Sequence, residues 1–199
     1  MGTLQDLGRY GYGSWGVNAG GAMDRYAAQL ANMLVGNDTR EAVLEIHFPG
    51  PQLLFEQNAL ISICGANFTP TLNDEPIPLW RPLLIRKNNI LHFPELKYGA
   101  RAYLAVHGGF SIPSWLNSYS TNLKAGLGGY KGRKLEKGDE LTFNENILYF
   151  AGWMKEGQDY NALSWKPDIA KTYEFPNEIY FVEGNEFQCL SEPSKDDFL

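Results

Sequence analysis

Hydrophobic and polar positions alternate along this chain on two different periods, and the change between them divides it. Between Arg25 and Val35 the apolar residues Ala27, Leu30, Ala31 and Leu34 recur at i, i+3, i+4 and i+7, the spacing of one helix face. Asp24 before this run is suited to cap a helix N-terminus, and Gly36 after it suits the position just past the C-terminus. The spacing therefore predicts one main helix over residues 25–35. From Glu41 to Phe143 the apolar runs are short and punctuated by turn residues. Val43 to Phe48, Gln52 to Phe55, Leu60 to Cys64, Thr69 to Leu72, Leu83 to Arg86, Ile90 to Phe93, Ala102 to His107 and Glu140 to Phe143 read as strands. Leu72-Asn73-Asp74-Glu75-Pro76 reads as a hairpin turn, and Arg86 to Ile90 as another. Many short strands with one helix indicate a mainly β fold, a sandwich or a closed barrel.

Beyond Phe143 the periodicity weakens. Lys155 to Thr172 reads as a linker or peripheral excursion, and Glu178 to Phe187 as a further strand. The expected organisation is one β domain over residues 1–150, a linker or peripheral segment over 151–176, and the start of a truncated second half over 177–199.

Composition narrows the function classes. The chain has 199 residues, 44% of them hydrophobic and 14% aromatic, which is enough to bury a sizeable core. Its formal net charge of −6 speaks against nucleic acid or an anionic membrane as a main partner, since phosphate binding requires a basic surface. With no leader-like N-terminus and no apolar run near the roughly 20 residues that span a bilayer, a cytoplasmic protein is expected. Cys64 and Cys189 stand far apart without a C-x-x-C partner, so neither a disulfide framework nor a zinc site is expected.

Two glycine-rich stretches carry the candidate chemistry. The first, Thr3 to Asp24, sets Gln5, Asp6, Arg9 and Asp24 among its glycines. Those glycines either serve turns alone or let backbone approach a ligand, and the four polar residues either bridge loops or line a site. Asp24 has the same ambiguity, because a carboxylate that caps a helix is engaged with backbone N–H groups. The second stretch, Ser111 to Lys134, holds Ser120, Thr121 and Lys124 ahead of Gly126, Gly128, Gly129 and Gly132. GLGGYKG lacks the G-K-[ST] ending of a phosphate-binding loop, so no nucleotide site is assigned to it. Of the three histidines, only His107, at a strand end before Gly108 and Gly109, is placed for chemistry. Arg81 sits between Trp80 and Pro82.

QDLGR (Gln5 to Arg9), GV (Gly16, Val17) and GGAMDRYA (Gly20 to Ala27) open a series of blocks. ANMLVGN (Ala31 to Asn37), LEIHFPGP (Leu44 to Pro51), PLWRP (Pro78 to Pro82), GARAYLAVHGGF (Gly99 to Phe110) and STNLKAGLGGYKGRKLEKGD (Ser120 to Asp139) continue it. In these blocks the chain resembles the N-terminal half of the biotin-dependent carboxyltransferase-like family. That family includes the 5-oxoprolinase C subunit, the second-subunit-like domain of allophanate hydrolase and urea amidolyase, and an antagonist of a sporulation-kinase inhibitor. The resemblance implies a cyclophilin-like β-barrel and a subunit of an ATP-dependent 5-oxoprolinase, inactive without its partners, homologues of the A and B subunits. The substrate implied is a small carboxylate or amide. Arg9, Asp24 and Lys124 are then the expected catalytic residues, with Gln5, Asp6, Arg81, Ser120, Thr121 and His107 binding substrate. ATP would be used by the complex and not bound by this chain alone. Met154-Lys155-Glu156 departs from the Met-Lys-Met of biotin attachment, so biotin is not expected on this chain. The same resemblance leaves two alternatives: carboxyl transfer from carboxybiotin to urea, and a non-catalytic module that pairs with a first-subunit homologue to regulate a kinase inhibitor.

Overall fold

A computed structural model describes residues 1–143, 152–154, 157–169 and 182–196. The chain divides into two compact units, Met1–Pro167 and Asp168–Leu199. In the first, a six-stranded antiparallel sheet runs in the order β1 (Gly2–Gln5), β2 (Val43–Ile46), β9 (Tyr98–Val106), β4 (Ala59–Asn67), β7 (Pro82–Ile85) and β10 (Tyr160–Ala162). A four-stranded sheet has the order β3 (Leu53–Leu54), β8 (Ile90–His92), β5 (Thr71–Leu72) and β6 (Glu75–Pro76). The second unit contains a 3₁₀ turn at Phe187–Cys189 and a short helix, α2 (Glu192–Asp196).

Side-chain alternation sends the two faces of the large sheet to different neighbours. Leu44, Ile46, Ile61, Ile63, Leu83, Ile85 and Leu104 join Phe55, Leu72, Leu91 and Phe93 of the smaller sheet and its loops in one buried cluster. On the opposite face lies helix α1 (Arg25–Leu34), where the Ser62 hydroxyl donates to the Ala31 carbonyl at 2.6 Å. The helix buries Ala27, Ala28 and Ala31, small residues that let its backbone come this close to the sheet. Because β4 is covered on both faces, Ala59 to Ala66 is buried without interruption, and its sequence is apolar but for Ser62, whose hydroxyl is taken up by the helix.

The predicted helix is present: Asp24 Oδ1 accepts the Ala27 N–H at 3.0 Å, and Gly36 beyond Val35 has φ +76°. The Leu72 to Pro76 hairpin is also present, with Asn73 and Asp74 both at positive φ, as a tight two-residue turn requires. Other expectations need correction. Arg86 to Ile90 does not form a hairpin, because β7 and β8 belong to different sheets. Glu140 to Phe143 is not a strand; Phe143 makes a single bridge with Phe110. Gly2–Gln5, read as part of a glycine-rich loop, is a strand, and Tyr160–Ala162, within the stretch read as linker, pairs with Leu83–Ile85. Of the strand expected at Glu178 to Phe187, residues 178–181 lie outside the described residues; Phe187 lies in a 3₁₀ turn, and no strand is formed over 182–187.

The described strands form two open sheets and not the closed barrel implied by the resemblance. The outer edge of β1 is covered by loop backbone: Thr121 N–H donates to Leu4 O and Leu135 N–H to Gly2 O, each at 2.9 Å. Edge carbonyls occupied in this way are not available for closure with another strand.

Candidate functional site

The covering of β1 brings the two glycine-rich stretches together. After Gln5 the chain leaves the sheet and doubles back, with Arg9 N–H donating to Ala19 O and Ala22 N–H to Asp6 O, both at 2.8 Å. The segment Ser118 to Thr121 lies against its start, joined to it by a group of hydrogen bonds.

Asp6 is the centre of that contact. Oδ1 accepts from Gly8 N–H at 2.7 Å, from the Ser118 hydroxyl at 2.7 Å and from the Ser120 hydroxyl; Oδ2 accepts from Tyr119 N–H at 2.6 Å. In return Asp6 N–H donates to Ser120 Oγ at 2.9 Å. A buried carboxylate with this many donors is satisfied without a cation. Its oxygens are committed to clasping one loop to the other.

Arg9 lies beside the clasp and is buried, only 2% exposed. Its Nη2 donates to the Ser120 carbonyl, and its guanidinium lies 4.5 Å from the centre of the Trp115 ring. Nε and Nη1 are buried and have no hydrogen-bond partner. No carboxylate among the described residues forms an ion pair with Arg9. Burial lowers its pKa and Asp6 opposes that shift. The walls are glycines: a Cβ on Gly20 would stand 3.4 Å from Nη1, and one on Gly128 3.0 Å from Nη2.

The remaining residues are spread more widely. Gln5 and Thr121 belong to the same cluster: Gln5 Nε2 donates to Thr3 Oγ1 at 3.1 Å and to Thr121 O at 3.4 Å, and the Thr121 hydroxyl donates to Leu4 O at 2.9 Å. Gln5 Oε1 is buried without a partner. Lys124 is exposed in the turn from Asn122 to Leu127, which the Asn122 amide ties to Asn18 Oδ1 at 3.1 Å. Asp24 caps α1, and its N–H donates to the Tyr103 hydroxyl at 2.7 Å. His107 Nδ1 is 2.6 Å from Val35 O, at the far end of the same helix. Arg81 precedes β7, four strand positions from β1, on the order of 20 Å across a sheet. The structure thus joins Gln5, Asp6, Arg9, Ser120 and Thr121, with Lys124 on the adjoining turn. Asp24, His107 and Arg81 stand elsewhere.

Sequence reasoning missed the aromatic face of Trp115 and the part played by Ser118. It also missed a buried network that anchors the end of the first stretch, in which Glu45 Oε2 accepts from Met23 N–H at 2.9 Å and from the Tyr103 hydroxyl at 3.0 Å. Alternation offered one signal, since Glu45 interrupts the apolar strand VLEI. Among the described residues, no group of three or more His, Cys, Asp or Glu is placed to hold a metal ion, and no helix is long and apolar enough to cross a membrane.

Comparison with known proteins decides the family. The model of the family described as carboxyltransferase domain, subdomain A and B, matches residues 15–199. The chain belongs to this carboxyltransferase family. It is 40% identical over 147 residues to the 5-oxoprolinase C subunit of Haemophilus influenzae, covering 73% of this chain and 48% of the relative. It is 32% identical over 196 residues to the 5-oxoprolinase C subunit of Escherichia coli, covering 98% of this chain and 59% of the relative. Among solved structures, urea amidolyase of K. lactis matches with a TM-score of 0.70 and 40% identity, over 72% of this chain and 9% of that one. The chain therefore spans about half the length of these 5-oxoprolinase relatives and under a tenth of the urea amidolyase. Within this family member, the Asp6 clasp joins QDLGR to STNLKAGLGGYKG, two of the blocks that carry the sequence resemblance.

Proposed function

We propose that this chain is part of an ATP-dependent 5-oxoprolinase, a cytoplasmic assembly with homologues of the A and B subunits that opens the lactam of 5-oxo-L-proline to give glutamate. The observation that carries this reading is the match of 98% of the chain to a 5-oxoprolinase C subunit. Lactam opening requires an activated amide carbonyl and a stabilised oxyanion, tasks for preorganised cations and N–H donors in a closed site. Arg9, buried with two unpaired nitrogens, and Lys124, exposed on the adjoining turn, supply the positive charge. Asp6, Gln5, Ser120 and Thr121 hold the two loops in register around them. Asp24, as a charged group, and Arg81 and His107, as substrate contacts, require a partner or a rearrangement to reach the same substrate. The chain carries no Walker motif, so ATP chemistry is shared with or supplied by the partners.

The test is ATP-dependent glutamate formation from 5-oxoproline by the two partner homologues, with this chain omitted and restored. Activity that requires the chain supports the reading, and the chain alone is expected to show neither turnover nor tight nucleotide binding. Activity independent of the chain defeats it. The likeness to urea amidolyase supports a second reading, carboxyl transfer to urea, which the same preparation tests with carboxybiotin and urea.

A further inference from the structure

The polar groups around Arg9 are unequally served. Asp6, its nearest acid, has both carboxylate oxygens engaged by the two serine hydroxyls and two backbone N–H groups. The guanidinium, in contrast, has one carbonyl partner, one aromatic face and two buried nitrogens with nothing to donate to. An arginine keeps its charge under all ordinary conditions, and a buried charge without a counter-ion is costly. Water or a neutral carbonyl would take up the hydrogen bonds and leave the charge uncompensated. A carboxylate supplies both: Nη2 keeps a second hydrogen beyond the one given to Ser120, and with Nε on one side or Nη1 on the other it makes a fork that matches two carboxylate oxygens.

We infer that the Arg9 guanidinium, through the fork that its second Nη2 hydrogen forms with one of the unpaired nitrogens Nε and Nη1, is a receptor for a small carboxylate, which enters between the opening stretch and the Gly126–Gly132 loop. This deepens the proposed function and rests on Arg9 belonging to that site, for it assigns Arg9 to the carboxylate of the ligand and leaves the amide carbonyl to other groups. The space is small on every side. Gly20 and Gly128 stand where any side chain would crowd the guanidinium, and Trp115 covers its face, so the ligand is a compact monocarboxylate and not a peptide or a nucleotide. Both unpaired nitrogens are shut off from solvent, so entry requires the second glycine-rich loop to lift from Ser120. That loop is tied to the opening stretch by the Asn122–Asn18 contact, which must yield as it lifts.

The Arg9 Nε–H resonance of the isotopically labelled 199-residue chain reports on this directly. It is followed while the chain is titrated, at constant ionic strength with chloride as the replaced anion, with acetate, with 5-oxo-L-proline and with 2-pyrrolidinone, the same lactam ring without its carboxylate. Saturable shifts are expected with both carboxylates and none with 2-pyrrolidinone. Calorimetry on Arg9→Lys, which keeps the charge and loses the planar fork, is expected to show acetate affinity reduced about tenfold or more. A response to acetate without one to 5-oxoproline upholds the carboxylate receptor and counts against the oxoprolinase reading alone. No response to either carboxylate, or an equal response to 2-pyrrolidinone, overturns the inference, and because these measurements use the unaltered chain they hold whether or not the variant folds.

Discussion

Asp6 and Ser120 hold each other through two hydrogen bonds of opposite sense: the Asp6 N–H donates to Ser120 Oγ at 2.9 Å, and the same hydroxyl donates to Asp6 Oδ1. Both residues are buried, and 114 positions separate them in sequence. Losing the carboxylate would leave the Gly8 and Tyr119 N–H groups and two serine hydroxyls short of an acceptor. Asp6→Ala is therefore expected to cost about 3 kcal/mol or more, and Ser120→Ala about 1 to 2 kcal/mol. The double variant should cost less than the sum by about 1 kcal/mol, because the two residues serve one contact. Urea unfolding of the four chains checks this, and strict additivity would mean that the clasp is not a unit.

Asp24 gives a cleaner separation of structure from charge. Asparagine caps a helix about as well as aspartate, whereas alanine forfeits roughly 1 kcal/mol. With Oδ1 on the Ala27 N–H, Asp24→Asn is expected to leave both the melting temperature and the activity of the assembled enzyme unchanged. Asp24→Ala should lower stability alone. Activity lost in Asp24→Asn at an unchanged melting temperature would assign the negative charge to the reaction.

Lys124 and Arg9 differ in what their removal does to folding. Lys124 is exposed, so Lys124→Ala should alter stability by about 0 to 1 kcal/mol. If it stabilises an oxyanion in the assembled complex, the same change should raise the barrier by roughly 2 to 4 kcal/mol, read as a fall in kcat/KM. Arg9→Ala empties a buried position between Trp115 and the clasp, so its loss of activity should be accompanied by a lower unfolding midpoint. A fully active Lys124→Ala complex would remove Lys124 from the site.

These contrasts show what was legible in the residues. The helix could be read because cap, period and terminating glycine agree within a dozen positions, and β4 because a strand covered on both faces is mostly apolar. β1 and β10 were hidden because four residues at the head of a glycine-rich loop, and three that include an asparagine, carry too little period to register. Gln5, Asp6, Arg9, Ser120 and Thr121 could each be singled out as polar residues in glycine-rich surroundings. Their partnership could not, since it depends on loop backbone covering the edge of β1. The burial of Arg9 was equally hidden, because an arginine in a loop is ordinarily solvated and this one is interior through contacts with Trp115, Ser120 and glycines distant in sequence.

His47 sets a pH dependence. Its Nε2 lies 3.5 Å from Glu45 Oε1, with Arg101 and the N-terminal amine also close. Burial, then Arg101, holds its pKa below the usual histidine value, and Glu45 pulls the other way without reversing the shift. With the folded pKa depressed, the unfolded chain takes up the proton first. His47 therefore costs nothing above the unfolded pKa of about 6.5, and stability falls as the pH drops below it towards the folded pKa. Urea unfolding across this range should show that decline, and His47→Gln should flatten it. A slope identical in the variant would place the titration elsewhere.

The glycines of the second loop differ in what surrounds them, and two alanine substitutions separate backbone conformation from space. Gly126 and Gly129 both have left-handed backbones, φ +67° and +55°, so alanine at either carries a penalty of roughly 1 to 2 kcal/mol. Around Gly126 a new Cβ meets nothing within 4 Å. At Gly129 it would fall 1.9 Å from Thr121 Oγ1 and 2.9 Å from Thr121 Cβ. Thr121 cannot simply turn aside, because its hydroxyl and its N–H both donate to Leu4 O at the edge of β1. Gly126→Ala should therefore show only the conformational penalty. Gly129→Ala should exceed it by about 2 kcal/mol and lift the loop from Thr121, exposing amides of residues 126–132 to faster hydrogen exchange. Thr121→Ser removes the methyl and keeps the hydroxyl, so it should relieve little of the cost, whereas Thr121→Gly in the Gly129→Ala background should recover part of it. Equal losses at Gly126 and Gly129 would mean that the loop does not rest on Thr121, and that it offers no closed wall above Arg9.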